Sequence, residues 1–335
     1  MRHIYKLTYC LLLAITVAAL AGCSGGGSTV AAGAPPEQST IVVDAVPTAD
    51  EAGLYIADDN GYFARQGLTV KIVPTLGGEV GMADLQDGKA QLLAGNYVSF
   101  ILAQIAGSYD GKPINMRIIA NGSLMQPGNQ ALYVMPGSRF RTVRDLQMYH
   151  ARIGLNTKDN IGQVLLGSLL RQNGLKLGDI HQVYLGFVPM LQALRKGQID
   201  VAWLPEPFGT MAEQQFGAVQ LADFDQGSLQ NFPIGAYIGI TKWVRSHPNT
   251  VAAFLRALQE GQQVADTDRA AVEAALAKNT GTPQVIAATM TLDSYPLTMD
   301  VPTMQRVPDA MYEFGLISKP YSIASMIQPE PGMVR

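Results

Sequence analysis

Between residues 41 and 225, short runs of apolar residues alternate along the chain with stretches in which apolar residues have helical spacing. Short runs of consecutive apolar residues, such as residues 41–43 and 68–73, are typical of buried strands. Between such runs, residues 50–64 and 161–171 carry apolar side chains three and four positions apart, which is the spacing of one helix face. Strands that alternate with helices favour a parallel sheet covered by helices on both faces. The predicted fold class is therefore α/β.

Two segments recur at nearly the same interval along the chain. Residues 85–93 correspond to residues 194–202, an offset of 109, and residues 65–68 correspond to residues 171–175, where the glycines are 107 apart. Each copy predicts a helix that ends at a glycine and is followed by a buried strand. The recurrence predicts two lobes built on the same plan.

Two β-like segments, residues 130–135 and 234–240, lie where the chain would cross between the lobes. We expect lobe I to comprise residues 40–128 plus 236–335, and lobe II residues 129–235. After the second crossing the pattern predicts helices, including residues 248–265 and 269–278, that pack back on lobe I. Two crossings form a hinge, so the lobes should enclose a cleft.

The N-terminal 22 residues have the pattern of a signal peptide. Arg2 and Lys6 precede an uncharged stretch, residues 7–20, which has the length of a signal-peptide core and is short for a membrane span. The stretch ends in Leu-Ala-Gly-Cys at residues 20–23, which resembles a bacterial lipobox. We expect cleavage before Cys23 and attachment of diacylglycerol and palmitate-type acyl chains there. An ordinary secretory signal with an incidental cysteine is the alternative.

The residues after the predicted cleavage site have a distinct composition. Residues 23–39 are rich in glycine, proline and small polar residues and predict a flexible linker from a lipid anchor to the folded part. The two cysteines of the sequence are Cys10 and Cys23. A body without cysteine has neither a disulfide nor a thiol nucleophile.

Charge and motifs narrow the function classes. The net charge is −3, and loss of Arg2 and Lys6 with the signal peptide would make it −5, which gives no support for nucleic-acid binding. The four histidines, His3, His150, His181 and His247, have no metal-ligand spacing. No phosphate-binding loop, nucleophile elbow or zinc-protease motif is present. We expect no cofactor, no metal and no enzymatic activity.

Several motifs in fixed order resemble one family of binding proteins. Residues 53–57 read Gly-Leu-Tyr-Ile-Ala, residues 60–63 Asn-Gly-Tyr-Phe, and residues 66–70 Gln-Gly-Leu-Thr-Val. Gly77-Gly78, Gly95-Asn96 and Glu206-Pro207 occur at matching later positions. The sequence is similar to solute-binding lipoproteins of ABC transporters that bind nitrate, sulfonates, taurine or the pyrimidine precursor of thiamine. The similarity extends from about residue 41 to 240.

The resemblance implies a two-lobed type II periplasmic-binding-protein fold with two crossover strands at its hinge. It implies a monomer, lipid-anchored outside the bacterial cell membrane, that captures a small molecule between its lobes. Its partners would be that molecule, an ABC import permease and a separate ATPase subunit. The alternatives are a sensing or docking lipoprotein of the same fold, or a pyrimidine-synthase-like enzyme. The absence of a cysteine-rich motif argues against the enzyme.

Loops at the carboxyl ends of the predicted strands supply the candidate ligand contacts, because open α/β sheets bind ligands there. Thr157 and Asn160 precede a helix whose N-terminus attracts anions, although both residues are also ordinary helix caps. Trp203 and Tyr97 could cover a ring or simply pack. The predicted ligand-binding set is Asp44, Asn96, Tyr97, Thr157, Asn160, Trp203 and Glu206. Asp44 and Glu51 could instead form a structural pair.

The residue types in these loops bear on the ligand. The candidate loops contain one lysine, Lys158, and no arginine, but several acceptors and aromatic side chains. Such a set suits a flat heterocycle that carries N–H groups, such as an aminopyrimidine, better than a bare sulfonate or nitrate. Backbone amides alone can also hold an anion, so both ligand classes remain open.

Overall fold

The computed structural model describes residues 33–328, and it confirms the α/β prediction. The predicted signal peptide, Cys23 and the first part of the predicted linker lie outside the described residues. The end of that linker is fixed, contrary to the prediction of a flexible segment up to residue 39. The carboxylate of Glu37 accepts hydrogen bonds from the backbone N–H groups of Asn249, at 3.0 Å, and Thr250, at 2.8 Å.

Ten of the twelve strands in this part of the chain form two separate five-stranded sheets, and a small hairpin contains the other two, β4 and β5. The first sheet has the order β2-β1-β3-β12-β6, and the second has the order β11-β7-β10-β8-β9. The strands are β1 Thr40–Ala45, β2 Thr69–Pro74, β3 Leu92–Asn96, β4 Ser108–Tyr109, β5 Lys112–Pro113, β6 Met116–Asn121, β7 Gln130–Val134, β8 Arg152–Leu155, β9 His181–Tyr184, β10 Val201–Pro205, β11 Val219–Asp223 and β12 Gly235–Ile240.

Each sheet combines parallel strands with one strand that is antiparallel to both its neighbours. This strand is the first one after the chain has passed over from the other sheet. In the first sheet β1 pairs in parallel with β2 and β3, whereas β12 is antiparallel to β3 and β6. In the second sheet β8 is parallel to β9 and β10, and β7 is antiparallel to β10 and β11. The segments predicted as crossings are thus β7 and β12 themselves, each integrated into a sheet. The lobe boundaries at residues 128 and 235 stay a prediction.

Thirteen α-helices occur among residues 33–328. They are α1 Ala52–Asp59, α2 Tyr62–Arg65, α3 Gly78–Gln86, α4 Tyr97–Ala106, α5 Val143–Met148, α6 Ile161–Gln172, α7 Phe187–Arg195, α8 Phe208–Phe216, α9 Thr241–Ser246, α10 Pro248–Thr267, α11 Arg269–Thr280, α12 Gln284–Ala287 and α13 Val301–Glu313. Within the described residues, none is long and apolar enough to span a membrane.

The helix predicted at residues 50–64 is not continuous. Residues 49–51 form a 3₁₀ turn, and the chain leaves the helix at Asn60 before α2 begins after Gly61. Gly61 has φ of 69°, a left-handed conformation that a continuous helix does not contain. The 3₁₀ turn positions Asp50 and Glu51 shortly after the first strand, where the site is formed.

The recurrent segments have the same local structure in both lobes. Gly88 follows α3 with φ of 71°, and Gly197 follows α7 with φ of 67°. Each is followed by a strand whose five residues are all buried, β3 in the first sheet and β10 in the second. The repeated pattern in the sequence therefore marks equivalent positions of the two lobes.

Two of the C-terminal helices pack against a helix of the first lobe, and a third contacts helices of both lobes. Helices α10 and α11 lie against α1, whereas α13 contacts both α4 and α6. Phe254 of α10 stacks on Phe63 of α2 with ring centroids 5.2 Å apart. Helix α13 thereby connects the first lobe, through α4, with the second lobe, through α6.

Candidate functional site

A cleft lies between the two sheets, at the carboxyl ends of β1 and β3 on one side and of β8 and β10 on the other. Its cavity measures about 40 Å³, room for about three water molecules. The first lobe contributes Val46, Thr48, Asp50, Glu51, Gly95 and Asn96; the second contributes Asn156, Asn160, Ile161, Phe187, Trp203 and Pro205; Gln130, Ile234 and Gly235 lie near the hinge.

The lobes touch each other around this cavity. The backbone N–H of Ala49 donates to the carbonyl oxygen of Glu206 at 3.1 Å. On the other side, the hydroxyl of Ser99 donates to the carbonyl oxygen of Asp159, also at 3.1 Å. A ligand larger than a few atoms therefore requires the lobes to separate before it can enter.

Asn96 is a predicted site residue that lies in the cleft wall. It ends β3 and caps α4, because its side-chain oxygen accepts a hydrogen bond from the backbone N–H of Ser99 at 3.0 Å. The cap holds the side chain of Asn96 in place at the cleft wall. One residue thus serves both as a helix cap and as part of the cleft.

Asn160 combines the two roles that the sequence left open. Its side-chain oxygen caps α6 by accepting from the N–H of Gly162 at 2.8 Å, and it also lines the cleft. Its amide nitrogen donates to Asn156 at 2.6 Å and to the hydroxyl of Thr157 at 2.9 Å. Thr157 itself lies outside the cleft wall, next to Gly77 of the opposite lobe. These bonds hold the start of α6 rigid at the cleft.

Trp203 lines the cleft, and it is also packed. It is 2% exposed, and its indole N–H donates to the side-chain oxygen of Gln130 at 3.0 Å. The ring of Phe187 meets it edge to face, with centroids 5.5 Å apart and an interplanar angle of 76°. The two rings form an apolar wall beside the polar residues of both lobes.

Tyr97 and Asp44 are not brought to the cleft. Tyr97 is fully buried in the core, and its hydroxyl donates to the side-chain oxygen of Asn121. Asp44 is directed towards Asp84 instead, and burial together with that second carboxylate raises the pKa of Asp44 to about 6. Neither residue belongs to the cleft wall, because helix α4 turns Tyr97 inward and the alternation of β1 turns Asp44 towards α3.

The carboxyl group of Glu206 also points away from the cleft. Its two oxygens accept hydrogen bonds from Thr210, one from the backbone N–H at 3.1 Å and one from the hydroxyl at 2.7 Å. Burial raises the pKa of Glu206 to about 7, although these bonds oppose the shift. The backbone of Glu206 contacts the other lobe, but its side chain accepts hydrogen bonds from the first turn of α8. The peptide bond between Glu206 and Pro207, just before this helix, is cis.

Asp50 and Glu51 are cleft residues that the sequence did not select. They come shortly after β1, so the strand-end rule points to them, but Glu51 was weighed there as part of a structural pair with Asp44 and was left out of the predicted set. Asn156 lies in the strand-end loop identified after β8, but it was left out of the predicted set, and Gln130 and Phe187 were missed. The signal for Phe187 is its position three residues after the end of β9, a strand that was not among the predicted ones.

The carboxylate of Asp50 is fully engaged. Its two oxygens accept from the hydroxyl of Thr48, at 2.6 Å, and from the hydroxyl of Ser123, at 2.9 Å. Asp293 lies beside it and accepts from the side-chain amide of Asn129 at 2.5 Å. Burial is the main cause that raises the pKa of Asp50, and it raises that of Asp293 well above the usual value with further help from Asp50 and Glu51.

Glu51 differs from Asp50 in one respect. It is 2% exposed, yet its Oε2 has no hydrogen-bond partner among the described residues. Burial and the neighbouring Asp50 raise the pKa of Glu51 well above its usual value, and the hydroxyl of Tyr237 opposes the shift. Leaving a buried polar atom unpaired costs about 1–3 kcal/mol, so a partner for this oxygen would stabilise the site.

Positive charge is missing from the described wall of the cleft. Among residues 33–328, no lysine, arginine or histidine lines it, and no salt bridge involves Asp50, Glu51 or Asp293. Within the same residues no group of three or more His, Cys, Asp or Glu side chains could hold a metal ion. The arrangement can accept hydrogen bonds and contact an apolar ring, but its described side chains offer no cationic group to an anion.

Related proteins have the same fold. The chain is 26% identical over 209 residues to an Escherichia coli (strain K12) protein named, provisionally, as an aliphatic sulfonates-binding protein; the match covers 60% of this chain and 63% of that protein, less than two thirds of its length. The alkanesulfonate-binding protein SsuA of Xanthomonas axonopodis pv. citri, solved with MOPS, gives a TM-score of 0.73 at 20% identity and covers 87% of this chain and 99% of its own.

Two further solved structures show how broadly the fold is used. The ligand-binding component of an ABC-type import system from Staphylococcus aureus gives a TM-score of 0.75 at 15% identity and covers 87% of this chain and 97% of its own. The desulfurization enzyme DSZB gives a TM-score of 0.66 at 16% identity over 88% of this chain and 97% of its own. At these identities the likeness shows the two-lobed fold alone.

The family of the chain is shown by a match to a family model. The model described as NMT1/THI5 like matches residues 48–270, which is more than half of the 335 residues and includes most of both sheets and of the cleft wall. Together with the fold and the ordered motifs, this match has one conclusion: the chain belongs to the NMT1/THI5-like family.

Proposed function

We propose that the protein is a solute-binding protein that captures a small molecule in the cleft between its lobes. The observation that carries this proposal is the convergence of side chains from both lobes on one cavity, including Glu51 and Asn96 from the first and Asn160 and Trp203 from the second. A ligand held from both sides stabilises the closed arrangement, because it binds that state better than the open one.

Thermal unfolding of the purified folded part in the presence of small molecules tests this function. A ligand present at a hundredfold excess over its Kd should stabilise the protein by about 2.7 kcal/mol. The test panel comprises organic ammonium and amidinium salts, aminopyrimidines and other nitrogen heterocycles, sulfonates, nitrate and bicarbonate. If no compound class raises the unfolding temperature, the solute-binding function is wrong.

The composition of the cleft favours a nitrogen heterocycle over a sulfonate or nitrate as the ligand. Glu51 places an acceptor oxygen without a partner in the wall, whereas lysine and arginine are missing from the described lining. The rings of Phe187 and Trp203 can cover the face of a planar ligand. The sulfonates named for the relative in Escherichia coli remain the second candidate, since backbone N–H groups at the start of α6 can hold an anion.

The proposed partners are an ABC import permease and its ATPase subunit, with the protein itself acting as a monomer outside the cell membrane. The Staphylococcus aureus structure supports this proposal, because that protein is described as the ligand-binding component of an ABC-type import system. The names of the sulfonate-binding relatives favour capture over catalysis. Glu51 and Asn160 would then contact a ligand without changing it.

A lipid anchor on Cys23 is part of the proposal. We expect that Cys23→Ala leaves an unlipidated precursor, because the thiol is the group that takes the diacylglycerol. Labelling with a fatty-acid analogue and the size of the protein on a gel measure this directly. Cys10→Ala is the matched control and should be processed as the wild type. Normal processing and labelling of Cys23→Ala would show that the lipobox interpretation is wrong.

A further inference from the structure

The buried acids beside the cleft lack a counter-charge within residues 33–328. Asp50, Glu51 and Asp293 are each at most 9% exposed, and no salt bridge between described residues involves any of them. Burial of ionised carboxylates without a cation is costly, so such groups either stay protonated or receive a positive partner. The described part of the protein offers them hydroxyl and amide donors but no cation.

The three acids are not equivalent, and one of them is available to a ligand. Both oxygens of Asp50 accept hydrogen bonds from hydroxyl groups, and Asp293 accepts from the amide of Asn129. Glu51 lines the cavity, and its Oε2 has no partner among the described residues. A group in the cleft can therefore satisfy Glu51 without breaking any bond that these residues already make.

The remaining wall suits an organic cation better than a metal ion. Phe187 and Trp203 lie beside the cavity, and aromatic faces attract cations within about 6 Å. Asn96 and Asn156 add amide groups from the two lobes. A metal ion would need several ligand atoms at short distance, and within residues 33–328 no group of three or more His, Cys, Asp or Glu side chains has that arrangement.

From these observations we infer that the ligand carries a positively charged nitrogen, an ammonium, amidinium or protonated amino-heterocycle, and that the carboxylate of Glu51 is its counter-ion. This inference rests on the proposed function and specifies the charge of the molecule that the cleft takes. It separates this protein from a binder of sulfonates, because a sulfonate near Glu51 and Asp50 would meet repulsion.

Thermal-shift screening with three panels of matched charge tests the inference. The panels are organic ammonium, amidinium and protonated amino-heterocycle salts such as benzamidinium, neutral compounds such as benzamide and pyrimidine, and anions such as benzenesulfonate and nitrate. Chlorides of Mg²⁺, Ca²⁺ and Zn²⁺ form a fourth panel. Each panel is measured with the wild type, with Glu51→Gln and with Glu206→Gln, at a single pH.

Glu206→Gln is the matched control, because it also neutralises a buried glutamate, but one whose side chain bonds to Thr210 outside the cleft wall. We expect the compounds that stabilise the wild type to belong to the cationic panel. Titration calorimetry should then show that Glu51→Gln weakens the best of them by about tenfold to a hundredfold. Glu206→Gln should retain the wild-type affinity.

The pH dependence of binding gives an independent readout. The titratable groups that face Glu51 are Asp50 beside it, Tyr55 on α1, Tyr237 on β12, and Asp293 and Tyr295 after α12; none of them is a cation. Protonation of Glu51 removes the counter-charge, so the wild type should bind the cationic probe more weakly at pH 5 than at pH 8. Glu51→Gln should lose most of this dependence.

The outcomes separate the inference from the function on which it rests. Stabilisation confined to neutral or anionic compounds, and kept by Glu51→Gln, would overturn the inference while leaving solute capture intact. A shift with metal chlorides alone that Glu51→Gln abolishes would replace the organic cation by a metal ion. No shift in any panel would overturn the proposed function itself. Circular dichroism and the unfolding temperature of Glu51→Gln without ligand establish that this variant folds.

Discussion

Gly261→Val is expected to lower the free energy of unfolding by about 3 kcal/mol, because the two helices that support the cleft touch through their backbones at this residue. A Cβ on Gly261 of α10 would lie 2.1 Å from the carbonyl oxygen of Gly53 and 2.8 Å from the Cβ of Ala57, both on α1. Neither neighbour is a flexible side chain that could move aside. Helix α10 must therefore shift away from α1, or the contact must be lost.

Urea unfolding followed by circular dichroism measures this change. Gly178→Ala is the control, because a Cβ at Gly178 meets nothing within 4 Å; its free energy of unfolding should stay within about 0.5 kcal/mol of the wild type. The turn with Asp50 and Glu51 directly precedes α1. A displaced α1 should for this reason also weaken ligand binding. Wild-type stability of Gly261→Val would mean that the helices do not approach as closely as described.

Glu206→Gln should reduce the pH dependence of stability between pH 4.5 and pH 7 by the contribution of one carboxyl group. Burial raises the pKa of Glu206 from 4.5 to about 7, so the folded protein holds this proton in a range where the unfolded chain has released it. The stabilisation is complete below pH 4.5 and is lost as the pH rises towards 7. A shift of this size corresponds to about 3 kcal/mol. Glutamine stays neutral throughout, so its variant should not show this loss.

Unfolding by urea at pH 4.5 and pH 8 measures both profiles. Thr210→Val should have the opposite effect on the pKa of Glu206. In the wild type the Thr210 hydroxyl donates to the Glu206 carboxylate at 2.7 Å and lowers the pKa of that group, and the variant lacks this hydroxyl. The loss of stability with rising pH should be larger in Thr210→Val than in the wild type. Parallel profiles for the wild type and Glu206→Gln would exclude Glu206 as the source of the dependence.

Local patterns along the chain were sufficient for the fold class and for the strand ends. Buried runs such as residues 92–93 and 201–202 became the parallel strands β3 and β10, because hydrophobic runs next to helices are stable only inside a covered sheet. The strand-end rule therefore pointed to loops that line the cleft. It led to Asn96, Asn160 and Trp203, all of which lie in the cleft wall.

The direction of each side chain within those loops was beyond local patterns. Tyr97 and Asn96 are neighbours, yet Asn96 lines the cleft and Tyr97 lies in the core, because the start of α4 turns successive side chains in different directions. Glu206 has the position of a ligand contact in sequence, but Thr210, four residues later, binds both its oxygens. Two neighbouring residues can point in different directions, so that only one of them reaches the cleft. The packed backbone alone sets these directions.

The burial of acidic side chains at the cleft depended on tertiary structure more than any other feature of the site. Asp50 and Glu51 look like the first turn of an exposed amphipathic helix, where acids are ordinary. Strand β12, the C-terminal segment with Asp293 and Tyr295, and the second lobe all cover that turn, and this covering buries the two carboxylates without a cation from the described residues. These elements are roughly 80 to 240 residues away in sequence, and no short-range pattern records which of them will meet. The chain's local chemistry thus determined an α/β protein with two lobes and cleft loops at its strand ends. The charge of the cleft was decided by long-range packing, because burial and not residue type makes a carboxylate demand a partner.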